Sequence, residues 1–159
     1  IADKLAPWDA TVVYHSRRKK EVPYRYFDNL TEMARACDAL ICITPGGPST
    51  HKIVNAEVLE ALGPNGTLIN VSRGSVVDEA ALIAALTSGK LGWAGLDVFE
   101  AEPVVPQALR DLPNTVLLPH VGSATVETRA AMGALTVDNL LQHLKDGTVM
   151  TPVPECADL

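Results

Sequence analysis

The hydrophobic residues of this chain are concentrated in short runs of strand length, and helical or polar stretches separate the runs. An unbroken apolar run is typical of a strand that is buried on both faces, as in parallel sheets joined by helices. The pattern therefore predicts a doubly wound α/β fold with a parallel, Rossmann-like sheet. The runs cover residues 11–14, 39–43, 67–71, 93–99 and 115–118, and residues 24–27 alternate like a further short strand.

Apolar residues with helical spacing fill the stretches between these runs. Asp78 suits the N-cap of one predicted helix, Gly89 closes it, and Gly147 closes the longest helix. Residues 1–6 also have helical spacing, and Pro7 limits this first helix. The other helices are predicted over residues 30–37, 55–62, 79–88 and 126–146.

Composition narrows the class of protein. The chain has 159 residues, a formal net charge of −6 and 47% hydrophobic residues, so it can build a core. An acidic chain is repelled by phosphates, which argues against nucleic-acid and membrane-surface partners. Its three cysteines lack the spacing of a zinc site or a disulfide framework, so we expect no metal and a cytoplasmic location.

Ligands of doubly wound sheets bind beyond the carboxyl ends of the strands. Ser16, Arg17 and Arg18 follow the first run, and no acidic residue occurs from Ala10 to Lys20. A hydroxyl followed by two guanidinium groups suits the 2′-phosphate of NADPH rather than the ribose hydroxyl of NADH. A solvated basic turn is the alternative interpretation.

Polar residues also follow the later runs. Arg73 suits a carboxylate substrate or a surface salt bridge, and His120 suits a catalyst or a structural role. Glu100 and Glu102 point the same way in an extended chain, so alternation cannot choose between them. Because successive strand ends meet at one edge of a parallel sheet, we expect an arginine, a glutamate and a histidine in one crevice.

Three motifs occur together in this chain: TLINVSRGSVVDEAAL, GLDVFEAEP and LLPHVGSAT. In order and spacing they resemble the D-isomer-specific 2-hydroxyacid dehydrogenases over nearly the whole chain. Shorter segments look most like the NADPH-preferring glyoxylate, hydroxypyruvate and hydroxyphenylpyruvate reductases of that family. The motifs lie at residues 67–82, 95–103 and 117–125, and the shorter segments at 15–18, 126–129 and 151–154.

The resemblance implies a hydride transfer from NADPH, or from NADH, to a small 2-keto acid, which gives the D-2-hydroxy acid. It implies that Arg73 grips the substrate, that His120 is the general acid, and that Glu102 is the carboxylate paired with it. It also implies a homodimer, and a cofactor site at Ser16, Arg17, Arg18, Thr44, Pro45, Thr50, Val71, Ser72, Arg73, Asp97, His120, Gly122 and Ser123.

One departure from the family is large, because the chain lacks the glycine fingerprint that cradles the pyrophosphate. We therefore expect residues 1–122 to be a dinucleotide-binding domain without its first strand and glycine-rich loop. Residues 123–159 are expected to be a linking helix and a tail that return to a substrate domain. The chain alone is then the inactive carboxyl-terminal portion of a longer enzyme. A non-catalytic, dinucleotide-sensing protein of the corepressor type is the alternative function.

Overall fold

The computed structural model describes residues 1–153. Contacts divide the chain into a first compact unit, Ile1–His120, and a second unit that begins at Val121. Among residues 1–153, every strand lies in the first unit and all strand pairs are parallel. The strands are β1 (Val13–His15), β2 (Arg25–Phe27), β3 (Ala39–Cys42), β4 (Thr67–Asn70), β5 (Trp93–Leu96) and β6 (Thr115–Leu117).

The strands form two sheets. β1 pairs with β2, and the other four strands follow chain order, β3-β4-β5-β6. Leu40, Leu68 and Ala94 lie in register on neighbouring strands and are buried, whereas Trp93 on the opposite face is 56% exposed. One face of the larger sheet therefore carries the core of the first unit.

Short helices follow the strands, and asparagine or aspartate side chains fix where several of them begin. Asn29, Asn55 and Asp78 each accept a hydrogen bond from the backbone N–H three residues later. This contact satisfies one of the N–H groups that have no partner within the helix. The helices of the first unit are α1 (Ala2–Leu5), α2 (Leu30–Arg35), α3 (Ala56–Leu62), α4 (Glu79–Thr87) and α5 (Gln107–Arg110).

The second unit contains one long helix, α6 (Val126–Asp146). The Thr125 side chain caps its first turn, and Gly147 ends it in the left-handed conformation. The chain then returns along the helix, where Thr151 exchanges hydrogen bonds with the side chain of Asn139. Within residues 1–153, no helix is long and apolar enough to cross a membrane.

The prediction of parallel strands with flanking helices is confirmed, with local differences. The run 93–99 is a strand only to Leu96, because the Phe99 N–H turns toward the Glu102 side chain instead of a neighbouring strand. The helix predicted over 30–37 ends at Arg35. Pro7 lies in a 3₁₀ turn, Ala6–Trp8, that follows α1. The short helix α5 was not predicted, and Pro154 and Cys156 lie outside the described residues.

We predict that Asn55→Ala lowers the free energy of unfolding by about 1 kcal/mol, because the Val58 N–H loses its acceptor. Chemical denaturation with circular dichroism measures the loss. Asn55→Asp is the matched control, because aspartate offers the same acceptor and should keep most of the stability. Equal losses in both variants would contradict the capping role.

Candidate active site

The carboxyl ends of β3, β4 and β5 and the segment after β6 border one open cleft of about 1000 Å³ in the first unit. Its lining brings together residues that are far apart in the sequence, as a parallel sheet requires. The predicted site residues found around it are Thr44, Pro45, Val71, Ser72, Arg73, Glu102 and His120.

The side chains of Glu102 and His120 form a hydrogen-bonded pair in this cleft. The Nδ1 atom of His120 lies 2.7 Å from Glu102 Oε2. The other carboxylate oxygen accepts the Phe99 N–H at 3.0 Å, so both oxygens are held. His120 has a φ of 54°, a left-handed conformation that is uncommon outside glycine and occurs often at functional sites.

These contacts lower the pKa of the Glu102 carboxyl from its ordinary value of 4.5. The hydrogen bond with His120 is the main cause, and the Phe99 N–H is the second. The positive charge of Arg73 acts in the same direction, while partial burial opposes it. Glu102 is therefore an anion near neutral pH, and it orients the imidazole ring.

The loop that carries Arg73 is shaped by Asn70, the last residue of β4. The Asn70 side chain is 1% exposed, and its Nδ2 atom donates to the Arg73 carbonyl at 3.0 Å. Its Oδ1 atom accepts from the backbone N–H and the hydroxyl of Ser72 at 3.0 and 2.8 Å. Sequence analysis missed Asn70, although an amide at the end of an otherwise apolar run was the available signal.

Gly74 brings the Arg73 loop against the segment that carries Glu102. A Cβ atom at this position would overlap the carbonyl of Phe99 and the nitrogen of Glu100. The two backbones are therefore in direct contact, and glycine is required there. This contact sets the spacing between the arginine and the carboxylate.

The structure gives different partners to Glu100 and Glu102, between which the alternation of side chains could not choose. Glu100 lies at the cleft, but its carboxylate pairs with Lys52 at 3.6 Å. Its backbone N–H donates to the Glu79 side chain at 3.2 Å. Glu102 is thus the glutamate that contacts the histidine.

A second cleft of about 740 Å³ adjoins the first, and the two share Ile43, Thr44 and Pro45. Ser16, Arg17 and Arg18 line it, with both arginines exposed. No acidic side chain of the described residues lines this cleft. The two guanidinium groups, the hydroxyl and the lack of opposing carboxylates fit a phosphate-bearing dinucleotide.

Thr50, another predicted cofactor residue, also lines the second cleft. Its hydroxyl donates to the Pro45 carbonyl at 2.7 Å and shapes the segment between them. Asp97 is 4% exposed and lines neither cleft. Gly122 and Ser123 belong to the second unit, so their cofactor contacts stay predictions.

Two other chemistries find little support around these clefts. Cys42 lies at the second cleft, but burial raises the pKa of its thiol to about 12, so it is a poor nucleophile. Among residues 1–153, no group of three or more histidine, cysteine, aspartate or glutamate side chains could hold a metal ion.

Comparisons with known proteins agree with this geometry. The family model described as D-isomer specific 2-hydroxyacid dehydrogenase, NAD binding domain, matches residues 1–122. Hydroxyphenylpyruvate reductase of Plectranthus scutellarioides is 49% identical over 154 residues, which are 96% of this chain and 49% of that protein. Glyoxylate/hydroxypyruvate reductase A of Arabidopsis thaliana is 47% identical with the same coverage.

A crystal structure of the NADPH-dependent glyoxylate/hydroxypyruvate reductase of Sinorhizobium meliloti, in complex with NADP and malonate, is also similar. It superposes with a TM-score of 0.94 at 54% identity, over 97% of this chain and 49% of that one. The chain thus spans about half the length of the curated relatives it matches.

We predict that His120→Gly raises the pKa of Glu102 toward 4.5, because the main hydrogen bond that lowers it is lost. Glycine tolerates the left-handed backbone at this position. The ¹³C shift of the Glu102 carboxyl, followed against pH by NMR, measures the change. His51→Gly, at an exposed histidine that lines neither cleft, should leave the pKa of Glu102 unchanged.

The same pair makes stability depend on pH. The pKa of the Glu102 carboxyl is lower in the folded protein than in the unfolded protein. The contact therefore stabilises the fold when the pH is above the unfolded-state pKa. That stability is lost as the pH falls through the folded pKa. An unchanged Glu102 titration in His120→Gly would contradict the hydrogen bond.

Proposed function

Because the chain belongs to the D-isomer-specific 2-hydroxyacid dehydrogenase family, we propose that the whole protein is an NADPH-dependent reductase of small 2-keto acids. The substrates are of the glyoxylate and hydroxypyruvate type, and the product is the D-2-hydroxy acid. The observation that carries the proposal is the arrangement of Arg73, Glu102 and His120 around one cleft, next to a second, basic cleft.

The second cleft is the proposed cofactor site. The two exposed guanidinium groups of Arg17 and Arg18 bind the 2′-phosphate, and the Ser16 hydroxyl holds this segment by donating to the Arg18 carbonyl. Bound NADPH supplies a hydride to the carbonyl carbon of the substrate. The relative from Sinorhizobium meliloti is described as NADPH-dependent and was crystallised with NADP, which supports this preference over NADH.

The residues of the first cleft hold the substrate and supply a proton. Arg73 binds the carboxylate and the carbonyl oxygen of the keto acid, which fixes the carbonyl carbon beside the hydride donor. His120 Nδ1 is hydrogen-bonded to Glu102, so Nε2 is the ring atom that gives a proton to the carbonyl oxygen of the substrate. Glu102 orients the ring through this hydrogen bond.

A dinucleotide-sensing protein of the corepressor type is not supported as the alternative. The relatives and the solved structure described above are named as reductases.

Other parts of the proposal rest on the family resemblance. We propose that residues 1–122 contribute most of the dinucleotide-binding domain, and that α6 and the following tail connect it to a substrate domain. The whole enzyme is proposed to be a cytoplasmic homodimer. Sedimentation analysis of the whole protein tests the oligomeric state.

We predict that the whole protein oxidises NADPH when glyoxylate or hydroxypyruvate is added, measured as a loss of absorbance at the nicotinamide band. The measured kcat/KM should be higher with NADPH than with NADH, because Arg17 and Arg18 favour the extra phosphate. No turnover with any 2-keto acid would contradict the proposed function. Equal kcat/KM with both cofactors would contradict the cofactor assignment.

We predict different kinetic defects for the two cleft residues. His120→Ala should lower kcat by about 100- to 10,000-fold with little change in cofactor affinity, because the proton donor is lost. Arg73→Ala should raise the KM for the keto acid by about 10- to 100-fold, because a charge-assisted contact is lost. Steady-state kinetics separate the two effects, with His51→Ala and Arg110→Ala as controls outside both clefts.

A further inference from the structure

The loop that follows β1, residues 16–20, has a fixed shape although its side chains are largely exposed. It carries Arg17 and Arg18, which point to phosphate recognition in the proposed function. An exposed loop that binds a phosphate must either be held in place beforehand or be ordered by the ligand at a cost in affinity. The side chains that hold this loop come from the two strands beneath it.

Tyr14, in β1, closes the base of the loop. Its hydroxyl accepts the Lys20 N–H at 2.7 Å and donates to the Lys20 carbonyl at 3.0 Å. One side chain thus joins the strand before the loop to the last residue of the loop. These two hydrogen bonds therefore hold the two ends of the segment from Tyr14 to Lys20 together.

Tyr26, in β2, holds the other side of the loop. It is paired in register with Tyr14, and the two rings lie 5.3 Å apart between centroids. The Tyr26 hydroxyl donates to the Ser16 carbonyl at 3.1 Å, and the Ser16 hydroxyl donates to the Arg18 carbonyl. We name Tyr14 and Tyr26 together the tyrosine clamp.

We propose that the tyrosine clamp positions the Ser16–Arg18 segment for a 2′-phosphate and thereby sets the preference for NADPH over NADH. Neither tyrosine hydroxyl is needed to touch the phosphate, because each bonds to the backbone of the loop. On a mobile loop, long arginine side chains would lose conformational entropy when they bind a phosphate, which weakens binding. The clamp holds the loop in advance and removes part of this entropic cost. This inference rests on the proposed cofactor preference and identifies positioning residues for it.

A merely structural role predicts something different. If the clamp only stabilised the fold, its loss would weaken the binding of every dinucleotide or lower stability without selectivity. Tyr14 and His15 of β1 also line the second cleft, together with residues of β3 and the loop after it. If the clamp positions the loop, the loss falls on ligands with a 2′-phosphate, because removing the Tyr14 hydroxyl frees only the Lys20 end of the loop. The two roles are therefore separated by comparing ligands with and without that phosphate.

The experiment uses Tyr14→Phe in the whole protein, which removes the hydroxyl and keeps the ring against Tyr26. Calorimetric titration with 2′,5′-ADP measures phosphate recognition directly. The dissociation constant of 2′,5′-ADP should rise about 5- to 10-fold, because one or two hydrogen bonds that hold the loop are lost. Tyr24→Phe is the matched control, since no hydrogen bond of the Tyr24 hydroxyl is found among the described residues. Arg17→Ala is the reference for a lost direct contact.

Kinetics supply the second readout. The KM for NADPH should rise in Tyr14→Phe by the same factor as the dissociation constant of 2′,5′-ADP, while kcat and the KM for NADH stay unchanged. Binding of 2′,5′-ADP that is equal in Tyr14→Phe and the unmodified protein overturns the proposal. An equal rise in both KM values also overturns it.

The failure of this inference differs from failure of the proposed function. An unmodified protein that binds 2′,5′-ADP but reduces no 2-keto acid contradicts the proposed reaction, and the Tyr14→Phe titration still decides the role of the clamp. An unmodified protein that does not bind 2′,5′-ADP overturns the clamp proposal, because the loop then has no phosphate to receive.

Discussion

The backbone at Gly74 packs directly against the peptide that joins Phe99 to Glu100, and the arrangement of the candidate active site depends on this contact. Arg73 precedes this contact on one loop, and Glu102 follows it on the other. A side chain at position 74 would push the loops apart, and the arginine would move away from the carboxylate. The spacing of the reactive groups is therefore set by two backbones and does not rely on the flexible ends of long side chains.

The parallel sheet brings the site residues near one another, and local hydrogen bonds then fix their positions, which is a second level of precision. The sheet brings the carboxyl ends of β3 to β5 to one edge, which is enough to gather residues from distant parts of the chain. Final placement comes from short-range contacts, such as Asn70 with Arg73 and Phe99 with Glu102. Productive geometry in a site needs this second level, because small displacements are costly to catalysis.

The sequence predicted the elements well where strong local signals occur. The bounds of α6 were predicted from its helical spacing and from Gly147 at its end, and the apolar runs identified the strands of the larger sheet. The period of the side chains could not decide between Glu100 and Glu102, because the chain leaves the extended conformation after Leu96. Helix α5 has four residues, too few for a repeating pattern. The partners of Tyr14 and Asn70 depend on how the chain turns, and residue type alone does not specify a turn.

Both polar atoms of the Asn70 side chain find their partners within the next three residues of the chain. The Asn70 side chain therefore fixes the local shape of the turn from Asn70 to Arg73. Neighbouring segments hold its start, because the Val71 N–H donates to the Cys42 carbonyl and the Asp97 N–H donates to the Asn70 carbonyl. Enzyme engineering that transplants this turn onto a related scaffold has to keep both adjoining strand ends with it as one block.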